Sequence, residues 1–439
     1  MNDNSPRLFY GWIIVAVSFL TLFFSLGVRV SFGVFYVAIL DDYGWTRADT
    51  AGAFSLAMFV HALFAPISGY LIDRFSPRQL FPAGAAFMAT GLIACSYIDR
   101  IWHLYIFFGV LIAIGVNMTG FAPNMAVVPR WFIRKKGTAN GIALSGIGLG
   151  SLVVAMVAGL VIDFAGWRIA FLTIAAGVSL ILIPASGFFL RRSPEEIGLL
   201  PDNEKAESRR PLLPGQREIT IPETGSVKGG QWTFINAVKT PAFWWINLTG
   251  ACHGFMVNMM IVHQAAYVVD IGFSPLLAAS SLGLVGGLQA VGNVYFGFLS
   301  DRIGRERSLA IGAAVAFAGM ILFIMVNNSP SLWLLYIASV LYGTGQGSYS
   351  SIYSSSMADF YSGPSFGRII ATISIGYGLG GALSSYMGGY FFDRTGSYII
   401  PFLFLLASII TGAVGIWMAS FQKQRTEDSR LNSRFQIPC

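Results

Sequence analysis

Two parts of this 439-residue chain repeat the same pattern at a separation of slightly more than half its length. The hexapeptide Gly-x-x-x-Asp-Arg occurs at residues 69–74 and again at residues 297–302, so that Asp301 repeats Asp73. Asp270 repeats Asp42 at the same offset, and Asp393 repeats Asp163 at nearly the same offset. Landmarks with one nearly constant spacing indicate two structural halves of the same design. In a membrane protein, repeated halves are typical of a transporter, because alternating access needs two bundles that rock about a site between them.

The composition independently predicts a membrane protein. The chain is 55% hydrophobic and only 11% charged, whereas a soluble domain has about 25% charged residues. Apolar runs of about 20 residues recur along it, which is the length of a helix that crosses the hydrocarbon core. We therefore expect an all-α integral membrane protein with twelve transmembrane helices in two pseudo-symmetric six-helix bundles. The expected parts are an N-terminal bundle (1–190), a cytoplasmic linker (191–240), a C-terminal bundle (241–420) and a cytoplasmic tail (421–439).

The distribution of charge predicts the orientation in the membrane. Basic residues lie in alternate loops, in the linker and in the tail, whereas the intervening loops carry mainly aspartates. The positive-inside rule therefore places both termini and the linker in the cytoplasm. The net charge of +7 follows from this bias and predicts no nucleic-acid partner. The short loops and the absence of a targeting segment suit a multi-pass protein of a bacterial inner membrane.

The repeated hexapeptide predicts a conformational gate. Glycine lets neighbouring helices approach closely, and the aspartate can bind a helix N-terminus and a cation of the adjoining bundle. Such a contact would break when the halves rock. The alternative is an ordinary charged loop. The predicted gating residues are Gly69, Asp73, Arg74, Gly297, Asp301 and Arg302.

This pattern resembles the cytoplasmic loop motif of the major facilitator superfamily, and further runs are similar to its branch of monocarboxylate transporters and oxalate–formate antiporters. The runs are Tyr10-Gly11-Trp12, Ser31-Phe32-Gly33-Val34-Phe35, Tyr43-Gly44-Trp45-Thr46-Arg47, Arg130-Trp131-Phe132, Gly137-Thr138-Ala139-Asn140-Gly141, Gly166-Trp167-Arg168 and Pro194-Glu195-Glu196-Ile197-Gly198-Leu199. The resemblance covers residues 8–420 and implies the major facilitator fold and transport of a small organic anion.

Arg29 is the candidate for the substrate site. Its separation from Asp42 places it about 20 Å from the end of its predicted helix, at a rise of about 1.5 Å per residue. An arginine near the middle of a membrane is costly unless it faces water or an anion. A guanidinium also matches a carboxylate in bidentate geometry. The alternative is a structural arginine that binds backbone carbonyls or a carboxylate.

His61 is the candidate for carrying a coupling proton, because imidazole titrates near neutral pH. It also lies at mid-depth, nearly as far before Asp73 as Arg29 lies before Asp42. The alternative is a packing residue. The repeat maps His61 onto Gln289.

Many members of the resembled family have an arginine in span 8, four residues after an aspartate or asparagine. Gln289 and Asn293 occupy those positions here, and the span 11 lysine of oxalate exchangers is absent, which argues against oxalate and puts coupling through an aspartate–arginine pair in doubt.

Further polar residues predict either a cavity lining or simple hydrogen bonding between helices. Asn117 and Asn124 share a face of span 4, Gln346 lies on a polar face of span 10, and Tyr377 lies in span 11. The other polar faces are on span 7, with His253 and His263, and on span 10, with several tyrosines.

These features predict a secondary active transporter of small organic anions, above all monocarboxylates, in which proton symport and anion exchange both stay open. The alternatives are an exporter or exchanger of other amphiphilic or anionic metabolites, and a transporter-like membrane sensor. The expected partners are the substrate, the lipid bilayer and, for symport, protons; no obligate protein partner, cofactor or metal is predicted. An enzyme is disfavoured because no nucleophile–base pair or metal-ligand cluster occurs at membrane depth.

Overall fold

The computed structural model describes residues 9–132, 136–200, 233–328, 330–361 and 366–435. Within these ranges the chain forms twelve long helical segments, labelled α1 to α12, and no β-strand. The first six are α1 (Gly11–Tyr43), α2 (Arg47–Arg74), α3 (Pro77–Cys95), α4 (101–130), α5 (Lys136–Ala165) and α6 (Trp167–Phe189). The second six are α7 (Pro241–Asp270), α8 (Pro275–Ile303), α9 (Arg305–Asn328), α10 (Leu332–Phe360), α11 (Phe366–Thr395) and α12 (Ile399–Phe435).

Two of these segments are irregular. In α4, Ile101–Leu104 leads into wider π-type turns at Tyr105–Ile112, followed by Ala113–Thr119, Phe121–Val127 and a 3₁₀ turn at Val128–Arg130. In α6, Trp167–Gly177 is followed by π-type turns at Val178–Leu182 and by Ile183–Phe189. Between α6 and α7 the described residues also form a 3₁₀ turn, Pro194–Ile197, and a short helix, Phe234–Val238. The bundle and linker boundaries stay predictions; α12 runs without a break into the predicted tail.

The repeated sequence pattern produces repeated helix ends. α1 ends at Gly44 with φ 62°, and the turn that follows α7 contains Gly272 with φ 96°. Such positive φ values favour glycine over residues with a Cβ. Thr46 and Ser274 then cap the N-termini of α2 and α8, since each side-chain oxygen accepts a hydrogen bond from a backbone N–H of the first turn. The constant offset between the halves thus specifies the same helix–turn–helix geometry twice.

Seven of the described helices are long and apolar enough to cross a membrane on length and composition alone: α1, α4, α5, α6, α8, α9 and α12. The other five long segments, α2, α3, α7, α10 and α11, do not meet this criterion over their described residues, and they also carry polar residues. Several of these residues, such as Asn258 and His263 on α7, are fully buried against neighbouring helices. Their polarity therefore serves contacts inside the protein rather than contact with lipid.

The two halves meet mainly along three helix pairs, α1 with α7, α2 with α11, and α5 with α8, and α1 also contacts α8. Glycine allows the closest of these approaches. A Cβ on Gly33 of α1 would lie 2.0 Å from the carbonyl oxygen of Ile261 on α7. We call the end of the molecule that carries Arg74, residues 191–200 and Arg305 the linker end. The opposite end, with the loops 44–46, 271–274 and 396–398, is called the far end.

Candidate functional site

Arg29 lies in the middle of α1 and joins the two halves. Its Nη2 donates hydrogen bonds to Oδ1 of Asn258 on α7 at 2.7 Å and to the hydroxyl of Tyr377 on α11 at 3.3 Å. The same nitrogen lies 3.1 Å from the sulfur of Met58 on α2. Asn258 is held in place by a 2.7 Å bond from its Nδ2 to the carbonyl of Gly254, which directs its oxygen toward the guanidinium. Arg29 is thus fixed between the bundles by neutral groups.

The positive charge of Arg29 has no negative partner among the residues that the structure describes. The side chain is only 7% exposed, and its contacts are an amide oxygen, a phenol and a thioether. Its Nε is buried and has no hydrogen-bond partner in the described part of the chain. A buried cation without a counterion is costly. A negative charge beside Arg29 would offset this cost.

A small cavity of about 20 Å³ lies beside Arg29, which is room for about one water molecule. His61 lines it together with Phe54, Ala57, Met58, Phe108, Ile112, Ala113 and Val116. The Nδ1 of His61 is buried without a hydrogen-bond partner among the described residues, and Asn117 interacts with the His61 side chain. Three predicted site residues, Arg29, His61 and Asn117, therefore lie close together in the first half.

A second polar chain approaches the same place from the other half. Nε2 of Gln289 on α8 donates to the hydroxyl of Ser350 on α10 at 3.2 Å, and this hydroxyl lies 3.1 Å from Nε2 of His253 on α7. The His253 ring packs edge-on against the ring of Tyr377, with 5.3 Å between the centroids. Ser350 and His253 thereby connect the predicted residue Gln289 to Tyr377, which contacts Arg29 directly.

The other predicted polar residues have local partners. Asn124 is fully buried; it accepts a 2.9 Å bond from Thr21 of α1 and donates to two carbonyls of its own segment. Gln346 donates to the Tyr342 hydroxyl at 3.4 Å. Asn293 is half-buried, and its Oδ1 has no hydrogen-bond partner in the part of the chain that the structure describes. For these residues a role in substrate binding stays a prediction.

The predicted gating residues have contacts inside their own halves. Asp301 binds Arg305 at 2.7 Å, and Nε of Arg305 binds Asp359 of α10 at 3.0 Å. Arg74 donates to the hydroxyl of Tyr70 at 2.6 Å. Arg302 lies 4.2 Å from the centroid of the Phe298 ring, and Gly297 packs near Ser351. Gly69 and Asp73 belong to α2, but the surroundings of Gly69 and the side chain of Asp73 lie outside what the structure describes. The gating role of this motif therefore stays a prediction.

Sequence reasoning missed Asn258, Met58 and Ser350, and it treated His253 only as part of a weak polar face. The repeat itself contained a usable signal, because Asn258 follows Arg29 at almost the same offset that separates the two halves. A buried amide at the equivalent depth of the second half was therefore a natural partner for Arg29. Among the described residues no group of three or more His, Cys, Asp or Glu side chains is placed to hold a metal ion.

Comparisons with known proteins agree with this architecture. The sequence profile of the Major Facilitator Superfamily matches residues 17–329 and, in a second match, residues 270–438. Monocarboxylate transporter 13 of Rattus norvegicus is 26% identical over 412 residues, covering 92% of this chain and 87% of that protein. Monocarboxylate transporter 12 of Mus musculus is 26% identical over 422 residues, covering 93% and 86%.

Solved structures have the same fold. A bacterial homolog of the human lysosomal transporter Spinster, in an inward-facing and unoccupied conformation, superimposes with a TM-score of 0.65. It is 16% identical, and the match covers 95% of this chain and 97% of that one. This likeness concerns the fold alone, and it confirms the predicted all-helical membrane architecture.

Proposed function

Because this chain belongs to the Major Facilitator Superfamily, we propose that it is a secondary active transporter of small monocarboxylates that binds their carboxylate at Arg29. Family membership and the relatives confirm the predicted resemblance to monocarboxylate transporters, and they identify a transport protein of the membrane rather than an enzyme. The substrate class, the coupling ion and the direction of transport are the proposed part.

The single observation that carries the proposal is the uncompensated charge of Arg29. Its three neutral contacts leave the guanidinium buried without a negative partner among the described residues. A carboxylate would supply the missing charge and accept hydrogen bonds from the guanidinium. Because Asn258 and Tyr377 belong to the other half, a substrate that replaced them would act directly on the interface between the halves.

The size of the cavity implies a conformational change. The space beside Arg29, about 20 Å³, holds about one water molecule and no organic acid. In the proposed cycle the halves separate at one end, the carboxylate replaces the neutral partners of Arg29, and neutralisation of the buried charge allows the halves to close around the substrate. Rocking to the other side then releases it.

His61 is the proposed carrier of the coupling proton. It lines the cavity with Arg29, and its Nδ1 has no partner among the residues described. The guanidinium nearby opposes a second positive charge, whereas a bound carboxylate would offset that charge and favour proton binding at His61. Anion and proton would then bind together, which is symport. Exchange of one anion for another would need no such step.

The orientation is proposed from charge. Arg78 and Arg191 both donate to the carbonyl of Phe188 at the linker end, where the hexapeptide arginines Arg74 and Arg302 also lie. The positive-inside rule places this end in the cytoplasm and the far end outside the cell.

The test is uptake of labelled monocarboxylates into proteoliposomes under an imposed proton gradient. Arg29→Gln should abolish uptake, because a neutral amide cannot neutralise a carboxylate. Arg168→Gln, which removes a surface arginine paired with Asp42 at the far end, is the matched control and should transport like the wild type. Unchanged uptake of every transported acid by Arg29→Gln would refute the anion site. If uptake were stimulated by an unlabelled monocarboxylate loaded inside the vesicles, and not by the proton gradient, the mechanism would be exchange rather than symport.

A further inference from the structure

A dense cluster of contacts joins the two halves at the far end, and it is separate from the Arg29 site. Its centre is Arg47, the first residue of α2. Nη2 of Arg47 forms an ion pair with Asp270 at the end of α7 at 2.7 Å. Nη1 donates to the hydroxyl of Tyr398, just before α12, at 2.6 Å. The guanidinium carbon also lies 3.8 Å from the centroid of the Phe392 ring on α11.

The main chain of α2 takes part in the same cluster. The backbone N–H groups of Arg47 and Ala48 donate to the two carboxylate oxygens of Asp393 on α11 at 3.0 and 2.8 Å. Asp393 therefore caps the N-terminus of a helix that belongs to the other half. A carboxylate in this position satisfies free N–H groups and interacts favourably with the helix dipole. Gly389 permits the approach, since a Cβ there would lie 2.5 Å from the nitrogen of Ala48.

Buried side chains of α1 and α7 contact the cluster. The hydroxyl of Tyr36 on α1 donates to the carbonyl of Arg47 at 3.1 Å. His263 on α7 is fully buried; its Nδ1 lies 3.3 Å from the Tyr398 hydroxyl and its Nε2 lies 2.7 Å from the carbonyl of Ser385. The rings of Tyr36 and His263 also meet edge-on across the interface. The cluster is thus continuous with the packed interior.

We infer that Arg47, Asp270 and Asp393 form a clamp that holds the far end closed and must open once in every transport cycle. The side-chain hydrogen bonds of Arg47, Asp270 and Asp393 link α2 of the first half to α7, α11 and the residue before α12 of the second half. Separation of the halves at this end breaks them together. The clamp combines a helix cap with a cation from the adjoining half, which is the chemistry that the sequence suggested for the hexapeptide at the other end. This inference concerns the conformational equilibrium and holds for any substrate.

The two aspartates make different contacts, so their substitutions should combine differently with a substitution of Arg47. Asp270 binds the guanidinium of Arg47, whereas Asp393 binds backbone N–H groups that any residue at position 47 would present. Arg47→Gln should therefore remove most of the contribution of Asp270 and leave that of Asp393. Interactions between residues in direct contact are non-additive, and independent ones add.

The experiment measures the far-end distance in the full chain, reconstituted in nanodiscs without substrate. Cys95, Cys252 and Cys439 are replaced, and spin labels are attached through Tyr97→Cys and Trp333→Cys, two positions that are 72% and 78% exposed. Asp270→Asn and Asp393→Asn should each raise the ratio of far-end-open to far-end-closed molecules about tenfold, as expected for one charged hydrogen-bonded contact. Asp42→Asn is the matched control, because its partner Arg168 belongs to the same half; it should leave the ratio unchanged.

Double variants show whether each aspartate acts through the side chain of Arg47 or through the main chain of α2. Asp270→Asn should add little to Arg47→Gln, whereas Asp393→Asn should multiply the effect of Arg47→Gln. Distance distributions for Asp270→Asn and Asp393→Asn that match those of Asp42→Asn would overturn the clamp. If Asp393→Asn had no additional effect on the Arg47→Gln variant, Asp393 would act through the Arg47 side chain. The proposed cap on the main chain of α2 would then be overturned. Because no transport is measured, the result does not depend on whether Arg29 binds the substrate.

Discussion

The variant Asn258→Asp places a permanent anion where we propose that the substrate binds. The Oδ1 of Asn258 accepts a hydrogen bond from Nη2 of Arg29 at 2.7 Å, and an aspartate has nearly the same shape as asparagine. The new carboxylate would pair with the guanidinium and neutralise it from within the protein. The second carboxylate oxygen would replace Nδ2 and lose its bond to the carbonyl of Gly254, so that one local contact is lost while an ion pair is gained. We therefore expect Asn258→Asp to fold and to bind monocarboxylates far more weakly than the wild type.

The magnitude follows from the geometry. Two unit charges about 4 Å apart attract each other by about 4 kcal/mol at an effective dielectric constant of about 20. A substrate carboxylate that must displace this partner would lose up to roughly a thousandfold in affinity, at about 1.4 kcal/mol for each factor of ten. The net value of about 1.5–3 kcal/mol for a hydrogen bond to a charged group gives a lower limit of roughly tenfold.

The assay is the initial rate of uptake into proteoliposomes over a range of substrate concentrations, with the melting temperature of the purified protein measured alongside. Asn258→Ala is the matched control, since it removes the same hydrogen bond without adding charge. It should keep substantial transport, whereas Asn258→Asp should lose transport. Both variants lose the bond from Nδ2 to Gly254, but only Asn258→Asp gains an ion pair, so it should melt at a higher temperature than Asn258→Ala. Uptake by Asn258→Asp with wild-type concentration dependence would refute the assignment of Arg29 as the anion site.

Two further predictions concern packing and surface charge. Gly33→Ala should abolish most transport, because its Cβ would lie 2.0 Å from the carbonyl oxygen of Ile261; Gly187→Ala, whose nearest neighbour would be 3.5 Å away, should transport normally. Uptake assays of the two alanine variants check this, and equal activity would contradict it. The pair Asp301–Arg305, with 67% and 26% of its side chains exposed, should have a coupling energy of at most about 1 kcal/mol. A double-mutant cycle of melting temperatures checks this value, and strong coupling would contradict it.

The sequence predicted the repeated architecture because the repeat is local chemistry used twice. Thr46 and Ser274 are both N-caps, and Gly44 and Gly272 both have positive φ. Each of these features depends on a few neighbouring residues, so it can be recognised without knowing the fold. The twelve long helices were therefore predictable from the sequence, whereas their exact ends were not predicted.

The site was predictable only in part. Arg29 was found because a cation at mid-depth is conspicuous against an apolar helix. Its partner Asn258 was missed because the contact depends on how α1 and α7 are rotated about their own axes. Helical periodicity shows which residues share a face of one helix, and it does not show which faces of two distant helices meet.

The clamp was missed for a related reason. The landmarks Asp270 and Asp393 established the repeat and the charge of the far-end loops, and the gating role was assigned to Asp73 and Asp301 because their motif was the most conspicuous. The structure joins Asp270 and Asp393 at one residue of the other half, Arg47. Only the packing of α2 against α11 and beside the end of α7 brings these three residues together.

The two arginines that cross the interface have different kinds of partner, and this difference fits their proposed roles. Arg47 is paired with a carboxylate and lies at the N-terminus that a second carboxylate caps, so opening the far end carries a substantial cost. Arg29 is held only by neutral groups. A carboxylate can displace them because it adds the attraction of an opposite unit charge to the hydrogen bond. A carboxylate in place of Asn258 would remove that advantage. The substrate would therefore compete with the neutral partners of Arg29 in the middle of the protein. The charged contacts of Arg47 at the far end would stay intact until the halves rock.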